Sequence, residues 1–122
     1  MPSPATLKAF VAEVEAGRFV EAIEAWYAEH ASMQENNAPP RVGRDVLVAG
    51  EKRTLERSAK ATAKLLDPPV VTGDRVVLHW LFEFTRPDGK LVRLDELAWQ
   101  RWEGERIVEE RFFYDPAQMA PA

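Results

Sequence analysis

The sequence predicts an α+β fold in which N-terminal helices pack on a mainly antiparallel sheet. Three C-terminal segments, 75–84, 91–102 and 106–114, are predicted strands joined by two tight turns. In the first of them every even position from Val76 to Phe84 is apolar, which predicts one buried face. The chain before these strands instead carries apolar residues at helical spacing. The helices are therefore predicted to cover one face of the sheet.

Two short helices are predicted at the start of the chain. Ser3 followed by Pro4 is typical of a helix N-cap with proline at the first helical position, and Gly17 is well placed to end that helix. A second helix is predicted to present one stripe, formed by Phe19, Ile23, Trp26, Tyr27 and His30. Together they predict a helical hairpin whose apolar faces need the sheet as a partner.

The middle of the chain predicts a short strand and a third helix. Residues 31–35 alternate weakly and predict a strand, which the Asn- and Pro-rich segment 36–40 ends. Residues 43–45 predict the start of a third helix, with Val48, Leu55 and Ala59 directed inward. Residues 61–66 are ambiguous between a helix end and a strand, and 70–71 are predicted to be extended after Pro68-Pro69.

Composition limits the class of protein. The whole chain, 1–122, is predicted to be one domain, and a hydrophobic content of 46% with 30% charged residues is that of an ordinary globular protein. A formal charge of −4 disfavours nucleic acid as a partner. No cysteine is present, residues 1–4 lack the basic and apolar pattern of a signal peptide, so none is predicted, and no apolar run is long enough to cross a bilayer. A cytoplasmic location without membrane partners is therefore predicted.

Three segments carry a resemblance to a known superfamily. Residues 27–35, 43–46 and 102–110 resemble the helix-to-strand passage, the start of the third helix and the last hairpin of the NTF2-like (cystatin-like) proteins. Within them the chain is most similar to the SnoaL-like family, named after polyketide cyclases and related to ketosteroid isomerase. The resemblance implies three N-terminal helices on a curved sheet that form a cone around an apolar pocket. It also implies a homodimer through the outer sheet face, and Leu97 and Trp99 are predicted to lie on that face.

Matching the last hairpin to the family's pattern directs Trp102 inward, and period two then assigns the other pocket side chains. They are Leu94, Glu96, Ala98, Gln100 and Trp102, then Val108, Glu110, Phe112 and Tyr114, and finally Leu78, Trp80, Phe82 and Phe84. A slip of one residue would bring Asp95, Trp99 and Arg101 inward instead. The predicted ligand contacts are Trp80, Glu96, Gln100, Trp102, Phe112, Tyr114 and His30. Such apolar walls with a few carboxylates can raise a carboxyl pKa and so support acid–base chemistry.

Glu35 is the leading candidate for a general base. Aligned through residues 27–28, it falls where the related ketosteroid isomerase carries its catalytic aspartate. The alternative is a carboxylate at a strand end that faces solvent. The isomerase's tyrosine position falls at or beside Phe10, and its protonated aspartate falls at or near Leu97 or Ala98. None of these three side chains donates a hydrogen bond, so a steroid isomerase of that mechanism is not predicted.

Other groups are candidates for the remaining roles. Stabilisation of an oxyanion is assigned to Tyr27, Tyr114, Gln100 or a protonated Glu110, so that Glu35, Tyr27 and Glu110 form the predicted catalytic set. Glu96 and Glu110 are alternatively a coupled pair that shares a proton. His30 is either a proton relay to Glu35 or a cap of the second helix. His79, the other histidine, is predicted to face away from the pocket.

These observations leave three functions open. The first is a cofactor-independent isomerase, cyclase or dehydratase that acts on a small apolar carbonyl compound with a carboxylate base. The second is a domain that binds such a ligand without catalysis, and the third is a dimerisation domain whose cavity is filled by its own aromatic side chains. Two distant histidines without ligand spacing predict no metal, and the absence of a glycine-rich phosphate loop predicts no nucleotide cofactor.

Overall fold

A computed structural model of the chain describes residues 1–119. Its helices are α1 (Pro4–Glu15), α2 (Phe19–Trp26) and α3 (Arg44–Glu56), and a short 3-10 helix, Pro116–Met119, follows the last strand. Its strands are β1 (Tyr27–Glu35), β2 (Arg41–Val42), β3 (Lys60–Leu65), β4 (Val70–Thr72), β5 (Arg75–Thr85), β6 (Leu91–Glu103) and β7 (Arg106–Phe113). No helix in this part of the chain is long and apolar enough to span a lipid bilayer.

The strands form one mixed, mostly antiparallel sheet. Its order is β2-β1-β7-β6-β5-β3, and β4 pairs with β5 outside this path. The pairing of β1 with β7 is parallel, whereas the pairings of β5 with β6 and of β6 with β7 are antiparallel hairpins. The predicted α+β class and the C-terminal meander are confirmed, with strand ends within one residue of the predicted ones.

The first helix begins as its sequence predicts. The Ser3 hydroxyl oxygen accepts a hydrogen bond from the Thr6 N–H at 3.1 Å, and Pro4 opens the helix. The Ser3 N–H also donates to the Glu105 carboxylate at 3.0 Å, which ties the start of α1 to the β6–β7 turn. Gly17 follows the helix with a φ of +81°, a left-handed conformation that favours glycine.

The second helix is shorter than predicted, and the strand after it is longer. The helix ends at Trp26, and strand β1 begins at Tyr27, which pairs with Ile107 of β7. The expectation that Tyr27 and His30 continue the helical stripe is therefore wrong. Pairing with a distant strand overrides the local helical pattern. The parallel partner, at residue 107, is too far along the chain to be recognised from a short stretch of sequence. His30 is exposed on β1, so it neither caps the helix nor faces Glu35.

The third helix presents a different face from the predicted one. Leu47 is its buried residue, with 1% of its surface exposed, whereas Val48 and Leu55 are half-buried. Ala59, expected to point inward from this helix, lies beyond its end and is exposed. Residues 60–65 form strand β3, which settles the ambiguity of that segment in favour of a strand.

The hydrophobic core fills the end of the molecule where α1 and α2 lie against the sheet. Phe10 of α1 meets Trp26 and Trp102 edge-on, with ring centroids 5.9 Å apart in both pairs. Phe10 and Trp102 are 2% and 0% exposed. Edge-to-face packing of large rings leaves little free volume at this end. The other end, under α3, is less completely filled.

The outer face of the sheet remains uncovered in the monomer. Leu97 and Phe113 are 44% and 42% exposed there, and the Arg111 guanidinium lies over the Phe113 ring at 4.7 Å. Trp99 lies under Arg75 at 5.5 Å on the same face. These apolar side chains are where the predicted homodimer would form, and the dimer stays a prediction.

His79 on this outer face offers a test by pH. Its ring nitrogens lie 2.6 Å from Asp67 and 2.7 Å from Asp95, and these hydrogen bonds, that to Asp67 first, raise the pKa of His79 above 6.5. We expect this contribution to stability to be complete below about pH 6.5 and to vanish as the pH rises through the raised pKa. The effect is small, because solvent screens an exposed pair.

Urea denaturation of the wild type and of His79→Gln at pH 6 and pH 9 checks this expectation. The variant should be less stable than the wild type at pH 6, and the difference should shrink at pH 9. Equal differences at the two pH values would show that the imidazolium makes no net contribution.

Candidate functional site

A cavity of about 660 Å³ opens between α3, the concave face of the sheet and the 3-10 helix. Its walls are formed by Phe19, Met33, Glu35, Arg41, Glu51, Thr54, Arg57, Ser58, Phe82, Phe84, Arg86, Pro87, Asp88, Val92, Leu94, Glu96, Phe112, Tyr114 and Met119. Its volume falls within the range of small-molecule sites, about 300–1,000 Å³. The cavity is therefore large enough for a small organic molecule.

Strand periodicity explains which side chains reach the cavity. Along β6 every even residue from Val92 to Trp102 is buried, while odd residues such as Asp95 and Leu97 are exposed. The predicted inward face is thus confirmed. The alternative register, which would have brought Asp95 and Arg101 inward, is excluded, because Arg101 pairs with Glu109 on the outer face at 2.6 Å.

Aromatic rings form much of the cavity wall. Phe82 and Phe84 alternate along β5 and stack with ring centroids 6.3 Å apart, and Phe19 of α2 meets Phe82 edge-on at 6.1 Å. On the neighbouring strand β6, Leu94 lies opposite Phe82 and Val92 lies opposite Phe84. The wall on this side therefore offers apolar contact and ring faces but no hydrogen-bond donor.

Glu35 is the last residue of β1, and its carboxylate lines the cavity. The Arg41 guanidinium donates to its Oε1 at 3.1 Å, and 39% of the Glu35 side chain is exposed. Burial raises the pKa of Glu35, and the charge of Arg41 partly offsets that rise. The result is a carboxylate that is anchored, reaches the cavity and is more basic than an ordinary glutamate.

Two local features position this pair. Gly50 of α3 leaves room for Arg41, because a Cβ atom at residue 50 would lie 3.1 Å from Arg41 Nη1. Asn36 turns the chain after Glu35 in a left-handed conformation, φ +49°, which asparagine tolerates. Its N–H donates to the Phe112 carbonyl oxygen at 2.8 Å, and its Oδ1 accepts from the Tyr114 N–H at 3.0 Å. Asn36 thereby holds Glu35 and Tyr114 on the same side of the cavity.

Glu96 lies deeper in the same cavity and is 6% exposed. Within residues 1–119 its carboxyl group has no hydrogen-bond or ion-pair partner among the side chains. Burial, followed by the charges of Glu35, Glu110 and Glu51, raises the pKa of Glu96 to about 8. Near pH 7 this carboxyl group is therefore mainly protonated.

Glu51 and Arg41 are cavity residues that the sequence interpretation missed. Glu51 lines the cavity from α3, where burial raises its pKa and Arg41 lowers it in part. It follows Leu47, the buried residue of that helix, by one turn. Residues four apart lie on the same face of a helix, so the spacing from Leu47 could have placed Glu51 on the cavity side. That inference would have required the inward face of α3 to be predicted correctly.

Behind the cavity, four buried side chains form a hydrogen-bonded chain. The Trp102 indole N–H donates to Gln100 Oε1 at 3.0 Å, Gln100 Nε2 donates to Glu110 Oε2 at 2.6 Å, and the Tyr27 hydroxyl donates to Glu110 Oε1. Because an indole can only donate, the Gln100 amide has one possible orientation and must donate to Glu110. Burial raises the pKa of Glu110 to about 7, while the bonds from Gln100 and Tyr27 oppose the rise.

The structure divides the predicted site residues into two groups. Glu35, Glu96, Phe112 and Tyr114 line the cavity. Tyr27, Trp80, Gln100, Trp102 and Glu110 point to the same side of the sheet but lie behind the cavity wall, in the filled end of the cone. The prediction that these five residues contact the cavity is therefore wrong. Large side chains fill the narrow end of the cone, so these residues do not reach the open space.

His30 is also displaced from its predicted place, since it is exposed and does not line the cavity. Over residues 1–119, no three histidine, aspartate or glutamate side chains are placed to hold a metal ion. The polar groups on the cavity wall are four carboxyl groups, three guanidinium groups, two aliphatic hydroxyl groups and the phenol of Tyr114.

Comparisons with solved structures identify the fold. A candidate SnoaL-like polyketide cyclase from Mesorhizobium loti superposes with a TM-score of 0.75 at 24% identity, covering 90% of this chain and 97% of that one. An NTF2-like protein of unknown function from Burkholderia pseudomallei has a TM-score of 0.80 at 18% identity, covering 94% and 92%. A candidate SnoaL-like polyketide cyclase from Jannaschia sp. CCS1 has a TM-score of 0.76 at 15% identity, covering 98% and 97%. At these identities the likeness shows the NTF2-like fold alone.

Sequence comparison adds the family. No curated protein sequence matches the chain. The sequence profile described as the SnoaL-like domain matches residues 7–110, which include most of α1, all of α2 and α3, and both Glu35 and Glu96. This chain belongs to the SnoaL-like family.

Proposed function

We propose that the protein is a cofactor-independent enzyme that moves a proton on a small, largely apolar carbonyl compound, with Glu35 as the general base. The observation that carries this proposal is the position of Glu35, whose carboxylate reaches the cavity, is held by Arg41 at 3.1 Å and has a raised pKa. A base is most effective when its pKa approaches the working pH, and partial burial moves Glu35 in that direction.

Arg41 serves two purposes in this proposal. Its charge opposes the rise that burial causes in the pKa of Glu35 and so favours the ionised form, which is the form that acts as a base. Its hydrogen bond also restricts the rotamers of Glu35, which lowers the entropy cost of orienting the carboxylate towards the substrate. Gly50 supports both effects by leaving space for the guanidinium.

Tyr114 supplies the phenol on the cavity wall, whereas the hydroxyl groups of Thr54 and Ser58, which also line it, donate to backbone carbonyl oxygens of α3. Burial, together with Glu35 and Glu96, raises the pKa of Tyr114, so its hydroxyl remains protonated. In the proposed step Glu35 takes a proton from the carbon next to a carbonyl group, and Tyr114 donates a hydrogen bond to the oxygen as negative charge develops. Return of the proton from Glu35 to another carbon of a conjugated system completes an isomerisation. In a β-hydroxy compound the C–O bond breaks instead, and the hydroxyl group takes the proton from Glu35 and leaves as water, which completes a dehydration.

Tyr27 and Glu110 act in this scheme as positioning residues. Their hydrogen bond joins β1 to β7 behind the cavity wall, and β1 carries Glu35 at its far end. They were predicted as catalytic residues, but neither lines the cavity. We therefore assign them to the support of the sheet that holds the base.

Proton exchange tests the proposal without knowledge of the natural substrate. Small cyclic ketones in D₂O should lose their α-protons faster with the protein than in buffer, as followed by proton NMR. The rate should rise with pH through a midpoint above 4.5, because Glu35 must be ionised to act and its pKa is raised. A rate that is flat across that midpoint would contradict Glu35 as the base.

A ligand-binding domain without catalysis is the alternative that the same cavity supports. One observation favours it: Tyr114 is the only hydroxyl group of the predicted donors that lines the cavity in the described chain. In that case ketones would bind in the cavity without faster exchange. A cavity of about 660 Å³ disfavours the dimerisation domain with a filled interior.

A further inference from the structure

Glu96 is a buried polar side chain for which the protein itself supplies no partner. It is 6% exposed, it lines the cavity, and among the described side chains none donates to it. Within residues 1–119 no fully enclosed side-chain oxygen lacks a hydrogen bond, so the unpaired carboxyl oxygens of Glu96 are open to the cavity, where a ligand can donate to them. Glu110, its neighbour behind the cavity wall, shows the contrast, since it accepts from both Gln100 and Tyr27.

The charges around Glu96 are unbalanced. Three glutamates, Glu35, Glu51 and Glu96, line the cavity near Arg41, and the hydrogen bond of Arg41 goes to Glu35. Burial is the largest cause of the raised pKa of both Glu51 and Glu96; the charge of Glu35 raises both further, and the charge of Glu51 adds to the rise at Glu96. The inner part of the cavity thus has more carboxyl groups than cations.

We propose that the cavity takes an organic cation, a protonated amine carried on an apolar body, with the Glu96 carboxylate as its counter-ion. An ammonium group would supply the missing donor to Glu96 and would also offset the charge of Glu51. Phe112 and Tyr114 also line the cavity, and their aromatic rings are groups that can form cation–π contacts with an ammonium. The stacked Phe82 and Phe84 would take the apolar body.

Other occupants fit these observations less well. A metal ion would need converging ligands, and no such set of three exists within residues 1–119. An organic anion would meet Glu51 and Glu96 while Arg41 is already engaged by Glu35. A neutral molecule would accept a hydrogen bond from protonated Glu96 but would provide no positive charge to pair with its carboxylate form.

Binding of a cation should release a proton. The titratable and charged groups on the elements around Glu96 are Glu35 on β1, Arg41 on β2, Glu51 on α3, Glu110 on β7 and Tyr114 after it, with Arg57, Arg86 and Asp88 at the rim. The rim residues are exposed, so solvent screens their charges. Glu96, with a pKa of about 8, is the group that must lose its proton to pair with an ammonium near pH 7.

This inference deepens the proposed function, because it names the substrate as a carbonyl compound that also carries an amine. It uses the same cavity but does not require Glu35 to act as a base. Binding measured without turnover therefore tests it separately from the proton-exchange assay. Cation binding without exchange would refute the enzyme and keep this proposal, and exchange of neutral ketones without cation binding would do the reverse.

The experiment is isothermal titration calorimetry near pH 7 with three probes of similar shape: 2-phenylethylammonium, 2-phenylethanol and 3-phenylpropanoate. The ammonium should bind at least about tenfold more tightly than the alcohol, and the anion should bind most weakly. Titration of the ammonium in two buffers with different ionisation enthalpies should show the release of nearly one proton for each ammonium bound. The alcohol should release none.

Two variants locate the effect. Glu96→Gln should abolish both the preference for the ammonium and the proton release, whereas Glu83→Gln, which removes a carboxylate paired with Arg93 on the outer face of the sheet, should preserve both. Circular dichroism confirms that each variant is folded, and Glu51→Gln, which should weaken the preference, provides an independent variant. The proposal is overturned if the alcohol or the anion binds as tightly as the ammonium, if no proton is released, if Glu96→Gln keeps the preference, or if the ammonium shows no saturable binding.

Discussion

Replacing Glu35 by glutamine is expected to slow enzyme-dependent α-proton exchange by a factor of about 10²–10⁴. Glutamine keeps the size of the side chain and still reaches the cavity, but it cannot accept a proton at working pH. The loss should therefore appear in kcat, while KM for the ketone changes little, because ground-state contacts with the apolar wall remain.

Three companion variants sharpen this test, which NMR exchange rates in D₂O measure. Glu35→Asp should retain part of the activity, since it keeps a carboxylate but retracts it by one methylene. Arg41→Gln removes the cation that lowers the pKa of Glu35, so the pH–rate profile should move to higher pH. Glu83→Gln, on the outer face and paired with Arg93, removes the same charge far from the cavity and should have no effect. Wild-type exchange rates in Glu35→Gln would eliminate Glu35 as the base.

Glu96→Gln is expected to stabilise the protein above pH 8 by several kcal/mol. The folded state raises the pKa of Glu96 from 4.5 to about 8, so between these values the folded protein binds more protons than the unfolded chain. The free energy of unfolding therefore falls as the pH rises from 4.5 to about 8, and it levels off above that. Glutamine does not titrate, so the variant avoids this loss.

Urea denaturation at pH 5 and pH 9 measures the difference. The variant should gain little at pH 5 and several kcal/mol at pH 9, whereas Glu83→Gln should show no comparable gain. An equal gain at both pH values would mean that ionisation of Glu96 is not the cause. The expected result would also make Glu96 a residue that costs stability, which is typical of residues retained for function.

The sheet could be predicted from sequence because its signals are local. Alternating apolar residues in 75–84 and 91–102 determine both the strands and their inward face, and the structure confirms both. The boundary at Tyr27 could not be found in this way. Its strand pairs with Ile107, and only that distant contact ends the helix at Trp26.

Only part of the candidate site could be predicted, because local patterns determine some of its features and distant contacts determine the others. The alternation of side chains along a strand shows which face of the sheet each side chain is on. It does not show how far along the cone that side chain lies. Trp80 and Trp102 were therefore assigned to the cavity, although they fill its closed end, while Glu96 was placed correctly. Arg41 and Glu51 come from elements whose position depends on packing against the sheet, which no local pattern reveals.

The parallel pairing of β1 with β7 also determines when the site can form. Glu35 pairs with Phe112, a contact between the first and the last strands of the sheet, so it can form only after the chain has been synthesised at least as far as Phe112. A nascent chain that ends at Glu103 has only β2 as a neighbour for the strand that bears Glu35, and a two-stranded ribbon is marginal in water. The α-helices and the β5–β6 hairpin can form earlier from local contacts. The candidate base is thus brought to its final position by the last strand to leave the ribosome.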